Sequence, residues 1–189
     1  MNYLGLDISS NSTGWALLCE DKLVDYGVIK TSGIGASKLI DFYTQLVNIL
    51  DSNIAYPIDW VGIEDTYIDN AKTVKTLSQY AGVALLVVAM KFKIYEIFRH
   101  KDLENLLERK ANPRARPQIP LRGIYMPMPT EIFKWLGVSI PKDRDKKKQE
   151  ALDWVKDNLY VALSKDEDDK ADAICIAWSA RMAAMKLCQ

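Results

Sequence analysis

The stretch YLGLDI at residues 3–8 is an apolar, strand-like run that is interrupted by one acidic residue, Asp7. A second apolar run, WVGIE at residues 60–64, ends in Glu64. A lone carboxylate in an apolar setting is costly unless it is paired or bound to a metal. The two runs therefore predict central strands of one sheet whose acids serve a common purpose.

Two more acids stand at the head of a third apolar stretch, near the end of the chain. Asp169 and Asp172 lie three residues apart, so on a helix their side chains share one face. Ile176 and Ala180 extend that face, which predicts that the helix packs on the sheet. The positive end of the helix dipole would offset part of the repulsion between the acids. If the three segments converge, divalent-cation binding is the simplest physical reason.

Each acid taken alone also has an ordinary structural explanation. Asp7 could be an ion-paired strand residue or a cap on the following turn, Glu64 a strand-end carboxylate in water, and Asp169 a helix N-cap. Together they form a hard oxygen site of the kind that Mg²⁺ or Mn²⁺ prefers, since the single histidine, His100, lies elsewhere in the sequence. Two such ions about 4 Å apart can hydrolyse a phosphodiester.

Composition and charge bound the remaining possibilities. The 189 residues are 49% hydrophobic and 26% charged, which suits one domain, residues 1–189, with a substantial core. The net charge of zero argues against a generic polyanion binder, although residues 99–122 carry seven Lys or Arg against three Asp or Glu. No apolar run is long enough for a membrane span, and the N-terminus lacks the pattern of a secretion signal. Three cysteines without metal-type spacing indicate a reducing, cytoplasmic setting.

The order of elements predicts an α/β fold in which a mixed five-stranded sheet is flanked by helices. Three antiparallel strands come first, and two parallel strands follow. The predicted strands cover residues 2–9, 15–19, 23–29, 60–64 and 123–126. The predicted helices cover residues 37–50, 74–92 with an extension towards Phe98, 130–136 with Thr130 as the cap, 146–158 and 169–187. The segment from about 99 to 122, which contains three prolines, is predicted to be an inserted basic arm that is helical up to Lys110.

Four motifs, in this order, are similar to the RuvC family of Holliday-junction resolvases within the RNase H-like superfamily. LGLDIS at residues 4–9 with TGWA at 13–16 resembles the family's opening strand and hairpin. VGIE at 61–64 resembles the strand that bears the second acid, and YAGVA at 80–84 the small-residue centre of the following helix. DKADA at 169–173 matches the C-terminal acidic pair. The resemblance covers about 160 residues and implies an RNase H-like fold.

The resemblance implies a crossover junction endodeoxyribonuclease of DNA recombination and repair. It implies a homodimer that binds four-way DNA junctions and resolves them by paired nicks, with two Mg²⁺ ions per active site and Mn²⁺ as a substitute. Asp7, Glu64, Asp169 and Asp172 would be its catalytic, metal-binding acids. It also indicates a bacteriophage origin, and hence the cytoplasm of a bacterial host.

Several residues are candidate DNA contacts, Tyr67 and the lysines at 146–148 on the same resemblance. Tyr67 falls where the family often places an aromatic residue at the junction centre, and its ring could stack on an unpaired base. One of the lysines at 146–148 could neutralise charge that develops on the scissile phosphate. The other candidates for contacts with backbone phosphate are Lys72 and Lys75 near the start of the long helix, and Arg114 and Arg116 in the basic arm.

Three alternatives remain open from the sequence. One is an RNase H-like nuclease that acts on flaps, forks or RNA–DNA hybrids. Another is an actin-like ATPase, because DISSNST at residues 7–13 is similar to the first phosphate-binding turn of those proteins. The third is a branched-DNA binder without catalysis, although four retained acids would only destabilise such a protein.

Overall fold

The computed structural model describes residues 1–52, 57–65, 71–111 and 122–188. The strands in these ranges are β1 Asn2–Asp7, β2 Ser12–Cys19, β3 Lys22–Lys30, β4 Trp60–Ile63, β5 Ile97–Arg99 and β6 Gly123–Met126. The helices are α1 Gly35–Ser52, α2 Ala71–Phe92, α3 His100–Ala111, α4 Pro129–Leu136, α5 Arg144–Leu159 and α6 Asp168–Cys188, with a 3₁₀ turn at Lys165–Glu167. Among the described helices, none is sufficiently long and apolar to cross a membrane.

The six strands form one mixed sheet in the order β3-β2-β1-β4-β6-β5. Strands β1, β2 and β3 are antiparallel neighbours, whereas the β1–β4, β4–β6 and β5–β6 pairs are parallel. The predicted α/β fold with three antiparallel strands followed by parallel ones is confirmed. The predicted strand number of five was wrong, because β5 adds a short strand at the edge of the sheet.

The missed strand lies where α2 was expected to continue. Helix α2 ends at Phe92, and Lys93 has a φ of 56°, in the left-handed region that closes many helices. The chain then turns back, and Ile97 pairs with Ile124 of β6. A lysine is rarely found in this conformation, so the residue type at position 93 does not predict the end of the helix.

Helices cover both faces of the sheet and form two core layers. Leu4 and Leu6 of β1 pack with residues of α1 and α2 on one face. Tyr3 of the same strand points to the opposite face, where α6 forms the centre of the second layer. This alternation follows from the period of two along a strand, and it places Asp7 on the face of α6.

Helix α6 lies unusually close to the sheet because glycines form the surface beneath it. A Cβ added at Gly5 would lie 2.1 Å from the carbonyl oxygen of Ala173, and one at Gly14 would lie 1.9 Å from that of Asp169. Any larger side chain at either position would displace the helix. Ile176 and Ala180 are buried in this contact, as the sequence pattern predicted.

Two further predictions concern the cap of α4 and the basic arm. Thr130 does not cap α4: the helix begins at Pro129 with Met128 as the N-cap, and the Glu131 carboxylate accepts a hydrogen bond from the Met128 N–H at 2.8 Å. The first part of the predicted arm is helical, as α3, and packs against α6 and β5. The rest of the arm, residues 112–121, lies outside the described residues.

Candidate active site

The parallel pairing of β1 and β4 brings the first two predicted acids to one edge of the sheet. Leu6 pairs with Ile63, so Asp7 and Glu64 follow on adjacent strands in the same register. Both side chains are partly buried. Asp7 and Glu64 thus lie beside each other, as predicted for central strands that run in parallel.

The start of α6 brings the other two acids to the same place. Asp169 is fixed from β2, because its carbonyl oxygen lies against Gly14 and its carboxylate accepts a hydrogen bond from the Ser12 hydroxyl. Asp172 follows one turn later on the sheet-facing side, between the buried residues Ala171 and Ala173. The helix therefore presents both carboxylates towards the ends of β1 and β4.

All four predicted acids line one open cleft of about 600 Å³. The β1–β2 turn, the end of β4, α2, α4, α5 and α6 form its walls. The lining residues with charged side chains are Asp7, Glu64, Arg144, Lys147, Lys148, Asp168, Asp169 and Asp172. The acidic side chains are therefore concentrated at the bottom of the cleft, and basic side chains from the first turns of α5 line one wall.

Burial and mutual repulsion strongly perturb these carboxyl groups. Burial first, and then the negative charges of Asp172 and Glu64, raise the pKa of Asp7 well above its ordinary value. Burial raises the pKa of Glu64 to about 7, although the nearby Lys147 ammonium opposes the shift. Burial, followed by the charges of Glu64 and Asp168, raises the pKa of Asp172 to about 7. Such a cluster carries a large cost when it is ionised without a cation.

Of the three lysines at the start of α5, residues 146–148, two line the cleft and one is exposed to solvent. Lys147 and Lys148 line the cleft, and Lys148 forms an ion pair with Asp168 whose hydrogen bond raises the pKa of the lysine. Lys146 is exposed, and its backbone N–H is held by the N-cap Asp143 at 3.1 Å. The structure therefore favours Lys147 and Lys148 over Lys146 as groups that could meet a phosphate in the cleft.

The remaining predicted DNA contacts lie apart from this cleft or outside the described residues. Lys75 is exposed on α2, whose described contribution to the cleft wall is Leu77. The side chain of Lys72 and all of Tyr67 fall in parts of the chain that the structure does not describe, as do Arg114 and Arg116. Their proposed contacts with DNA stay predictions.

Three residues of the cleft and its support were not singled out from the sequence. Arg144 lies at the first position of α5, Asp168 pairs with Lys148, and Ser12 contacts Asp169. Asp168 was visible as part of the acidic run 166–169, yet its partner lies 20 residues away on another helix. These contacts arise from tertiary packing, for which local sequence patterns carry no signal.

The donor set fits a hard divalent cation. Carboxylate oxygens from three separate elements surround the cleft floor, and oxygen ligands of this kind suit Mg²⁺ or Mn²⁺. Within the described ranges, no group of three or more Asp, Glu, His or Cys side chains is arranged closely enough to hold a metal ion. The Ser12 hydroxyl contacts the Oδ2 oxygen of Asp169, and Lys148 forms an ion pair with Asp168.

Comparison with known proteins identifies curated relatives of one kind, while no protein-family model matches the chain. The crossover junction endodeoxyribonuclease RuvC of Ehrlichia ruminantium (strain Welgevonden) is 41% identical over 99 residues, which are 47% of this chain and 59% of the relative. That of Ehrlichia canis (strain Jake) is 35% identical over 103 residues, 51% of this chain and 64% of the relative. The chain thus spans about three fifths of the length of these relatives.

Solved structures extend the similarity to the whole fold. Thermus thermophilus RuvC in complex with a Holliday junction substrate matches with a TM-score of 0.68 and 14% identity, over 98% of this chain and 96% of that one. The yeast mitochondrial Holliday junction resolvase Ydc2 matches with a TM-score of 0.53 and 15% identity, over 97% of this chain and 79% of that one. The predicted resemblance to the RuvC family, and the RNase H-like fold that it implied, are confirmed.

Proposed function

We propose that this protein is a metal-dependent, structure-specific endonuclease that resolves four-way DNA junctions by paired nicks. One observation carries the proposal: Asp7, Glu64, Asp169 and Asp172 come from three distant segments and line a single cleft. A site of clustered carboxylates with a basic wall suits phosphodiester chemistry. Similarity to the RuvC proteins supports a junction as the substrate.

In this proposal the four acids hold two Mg²⁺ ions, with Mn²⁺ as a substitute. The bound ions would supply an activated water and stabilise the departing oxygen. Lys147 and Lys148 would attract the scissile phosphate and offset its charge, since both side chains reach the cleft from α5. The neighbouring Asp168 forms an ion pair with Lys148.

We also propose that two copies of the chain act together, as paired nicks require two active sites. The exposed face of α2 supports this: Leu86 is 56% exposed and Met90 is 70% exposed, and their spacing of four residues places them side by side. Large apolar side chains that cluster on a surface commonly mark protein contacts. The three free cysteines, Cys19, Cys175 and Cys188, support action in a reducing compartment such as the bacterial cytoplasm.

The test uses labelled DNA substrates of defined structure. The protein is incubated with a four-way junction, a flap, a linear duplex and an RNA–DNA hybrid, each with Mg²⁺, Mn²⁺ or EDTA. We expect symmetrical paired nicks in the junction with either metal, no cleavage in EDTA, and no cleavage by Asp7→Asn, which should still bind the junction. Cleavage confined to flaps or hybrids would assign a different nuclease activity, and metal-independent nicking would reject the proposed site.

A further inference from the structure

We propose that Ser12 is a positioning residue that orients Asp169 for metal binding, an inference that rests on the function proposed above. The Ser12 hydroxyl donates a hydrogen bond to the Oδ2 carboxylate oxygen of Asp169. This contact joins the first residue of β2 to the first turn of α6, across 157 positions of sequence. It therefore fixes a cleft carboxylate from a strand that supplies none of the four acids.

Ser12 is itself held by a network of hydroxyl groups in the turn after β1. The Ser9 hydroxyl oxygen accepts hydrogen bonds from the N–H groups of Asn11 at 3.3 Å and Ser12 at 3.4 Å. The hydroxyl of Thr13, which is fully buried, donates to the carbonyl oxygen of Ser9 at 2.9 Å and accepts its N–H at 3.2 Å. These hydrogen bonds hold the backbone on both sides of Ser12, which places its hydroxyl next to the Asp169 carboxylate.

The main chain of Asp169 is located from the same strand. Gly14 lies two residues after Ser12, and a Cβ at Gly14 would stand 1.9 Å from the Asp169 carbonyl oxygen. Strand β2 thus places both the backbone and the Oδ2 atom of this acid. Because a carboxylate has two oxygens, a hydroxyl on Oδ2 sets the plane of the group while Oδ1 can serve as a ligand.

Orientation of this kind matters because the cleft acids repel one another. Asp169 contributes to the negative field that raises the pKa of both Asp7 and Asp172. Without its hydroxyl partner, the Asp169 carboxylate would be free to turn away from these charges. Hydrogen-bond partners that orient metal ligands typically contribute about 10–100-fold in metal affinity or activity when they are removed singly. Ser12 should therefore act on metal binding and on the chemical step rather than on DNA affinity.

The experiment compares Ser12→Ala and Ser12→Thr with the wild type. Mn²⁺ binding to the protein alone is measured by titration calorimetry, and junction nicking is measured against Mg²⁺ concentration. We expect Ser12→Ala to weaken Mn²⁺ binding by about 10-fold and to raise the half-saturating Mg²⁺ concentration by a similar factor. The junction Kd in EDTA should stay within about twofold of the wild type, and Ser12→Thr, which keeps the hydroxyl, should restore both metal readouts.

Two further variants keep the result interpretable. Ser37→Ala removes an exposed hydroxyl that donates to the Ile34 carbonyl oxygen at 2.8 Å, and it should change neither metal readout. If Ser12→Ala does not fold, Ser12→Cys serves in its place. A thiol keeps the approximate shape of the side chain but is a weak donor, so it should shift both metal readouts in the same direction as alanine.

The outcomes separate this inference from the proposed function. Wild-type metal dependence in Ser12→Ala, alongside normal junction nicking, would overturn the role of Ser12 and leave the nuclease intact. Weaker junction binding in EDTA would overturn it too, since Ser12 would then be a DNA contact. A wild-type protein that nicks no branched DNA, yet binds Mn²⁺ in a manner that depends on Ser12, would reject the proposed function and support the positioning role.

Discussion

Replacing Asp172 by asparagine should stabilise the metal-free protein above neutral pH and abolish nicking at the same time. Asp172 lies in the first turns of α6, where burial and the charges of Glu64 and Asp168 raise its pKa from 3.8 to about 7. The unfolded chain loses this proton near pH 4, whereas the folded chain retains it until about pH 7. The free energy of unfolding should therefore fall as pH rises across that interval.

The pKa shift of Asp172 determines how much the substitution should change the free energy of unfolding. The rise from 3.8 to about 7 corresponds, at about 1.4 kcal/mol per pKa unit, to roughly 4 kcal/mol of cost once Asp172 is ionised in the folded protein. Asparagine cannot ionise, but its buried amide keeps a desolvation cost of about 1–3 kcal/mol. We expect a net gain of about 2 kcal/mol at pH 8, or roughly 4–8 °C in Tm for a chain of this size.

Thermal unfolding in EDTA at pH 5 and pH 8 measures this effect directly. At pH 5 the unfolded chain is already ionised at Asp172, so roughly 1.5 kcal/mol of the cost is present in the wild type. This amount about cancels the cost of the buried amide, so the variant and wild type should differ little. Asp157→Asn, at an exposed position of α5, is the matched control and should change the free energy of unfolding by less than about 0.5 kcal/mol at either pH. Mg²⁺ should raise the Tm of the wild type and have little effect on Asp172→Asn.

One pattern would refute the reasoning. If Asp172→Asn were less stable than the wild type by the same amount at both pH values in EDTA, Asp172 would be a structural carboxylate with favourable contacts. The cleft would then not hold a cluster of repelling acids, and the electrostatic basis for cation binding would be lost.

Three other predictions follow from the contacts of the fold and the cleft. A Cβ at Gly14 would lie 1.9 Å from the Asp169 carbonyl oxygen, so Gly14→Ala should lower the free energy of unfolding by about 1–3 kcal/mol in urea denaturation; an unchanged midpoint would contradict the close contact. Lys147 lowers the pKa of Glu64, and metal ligation requires the ionised carboxyl group. In Lys147→Ala the acid limb of the pH profile of nicking, measured at limiting Mg²⁺, should therefore move to higher pH by up to about one unit. An unchanged acid limb in Lys147→Ala would contradict an effect of Lys147 on the pKa of Glu64. Leu86→Glu should convert a dimer to monomers in light scattering, and a wild type that is monomeric at high concentration would reject the proposed contact.

The convergence of the acids was predictable because it follows from simple periodicities. Asp7 and Glu64 end apolar strands that pair in parallel, and the side-chain period of two places Asp7 on the face that meets α6. Asp169 and Asp172 share a helix face with the buried Ile176, which identifies the face that packs on the sheet. These features are local in sequence, so hydrophobic patterning carries them.

The supporting contacts could not be predicted, because they depend on which elements touch. The hydrogen bond from Ser12 to Asp169 and the ion pair from Lys148 to Asp168 join segments that only the folded sheet and helices bring together. Strand β5 could not be predicted because its three residues show no clear alternation. Lys93 also ends α2 in a left-handed conformation that lysine rarely adopts.

The central claim is that Asp7, Glu64, Asp169 and Asp172 jointly bind divalent cations, and counting bound Mn²⁺ by electron paramagnetic resonance tests it most directly. The wild-type protein should bind two Mn²⁺ ions per chain as the metal concentration rises. Asp7→Asn, with its fold verified by circular dichroism, should bind fewer ions and with lower affinity. Full Mn²⁺ stoichiometry at unchanged affinity in Asp7→Asn, or no Mn²⁺ binding by the wild type, would contradict the account.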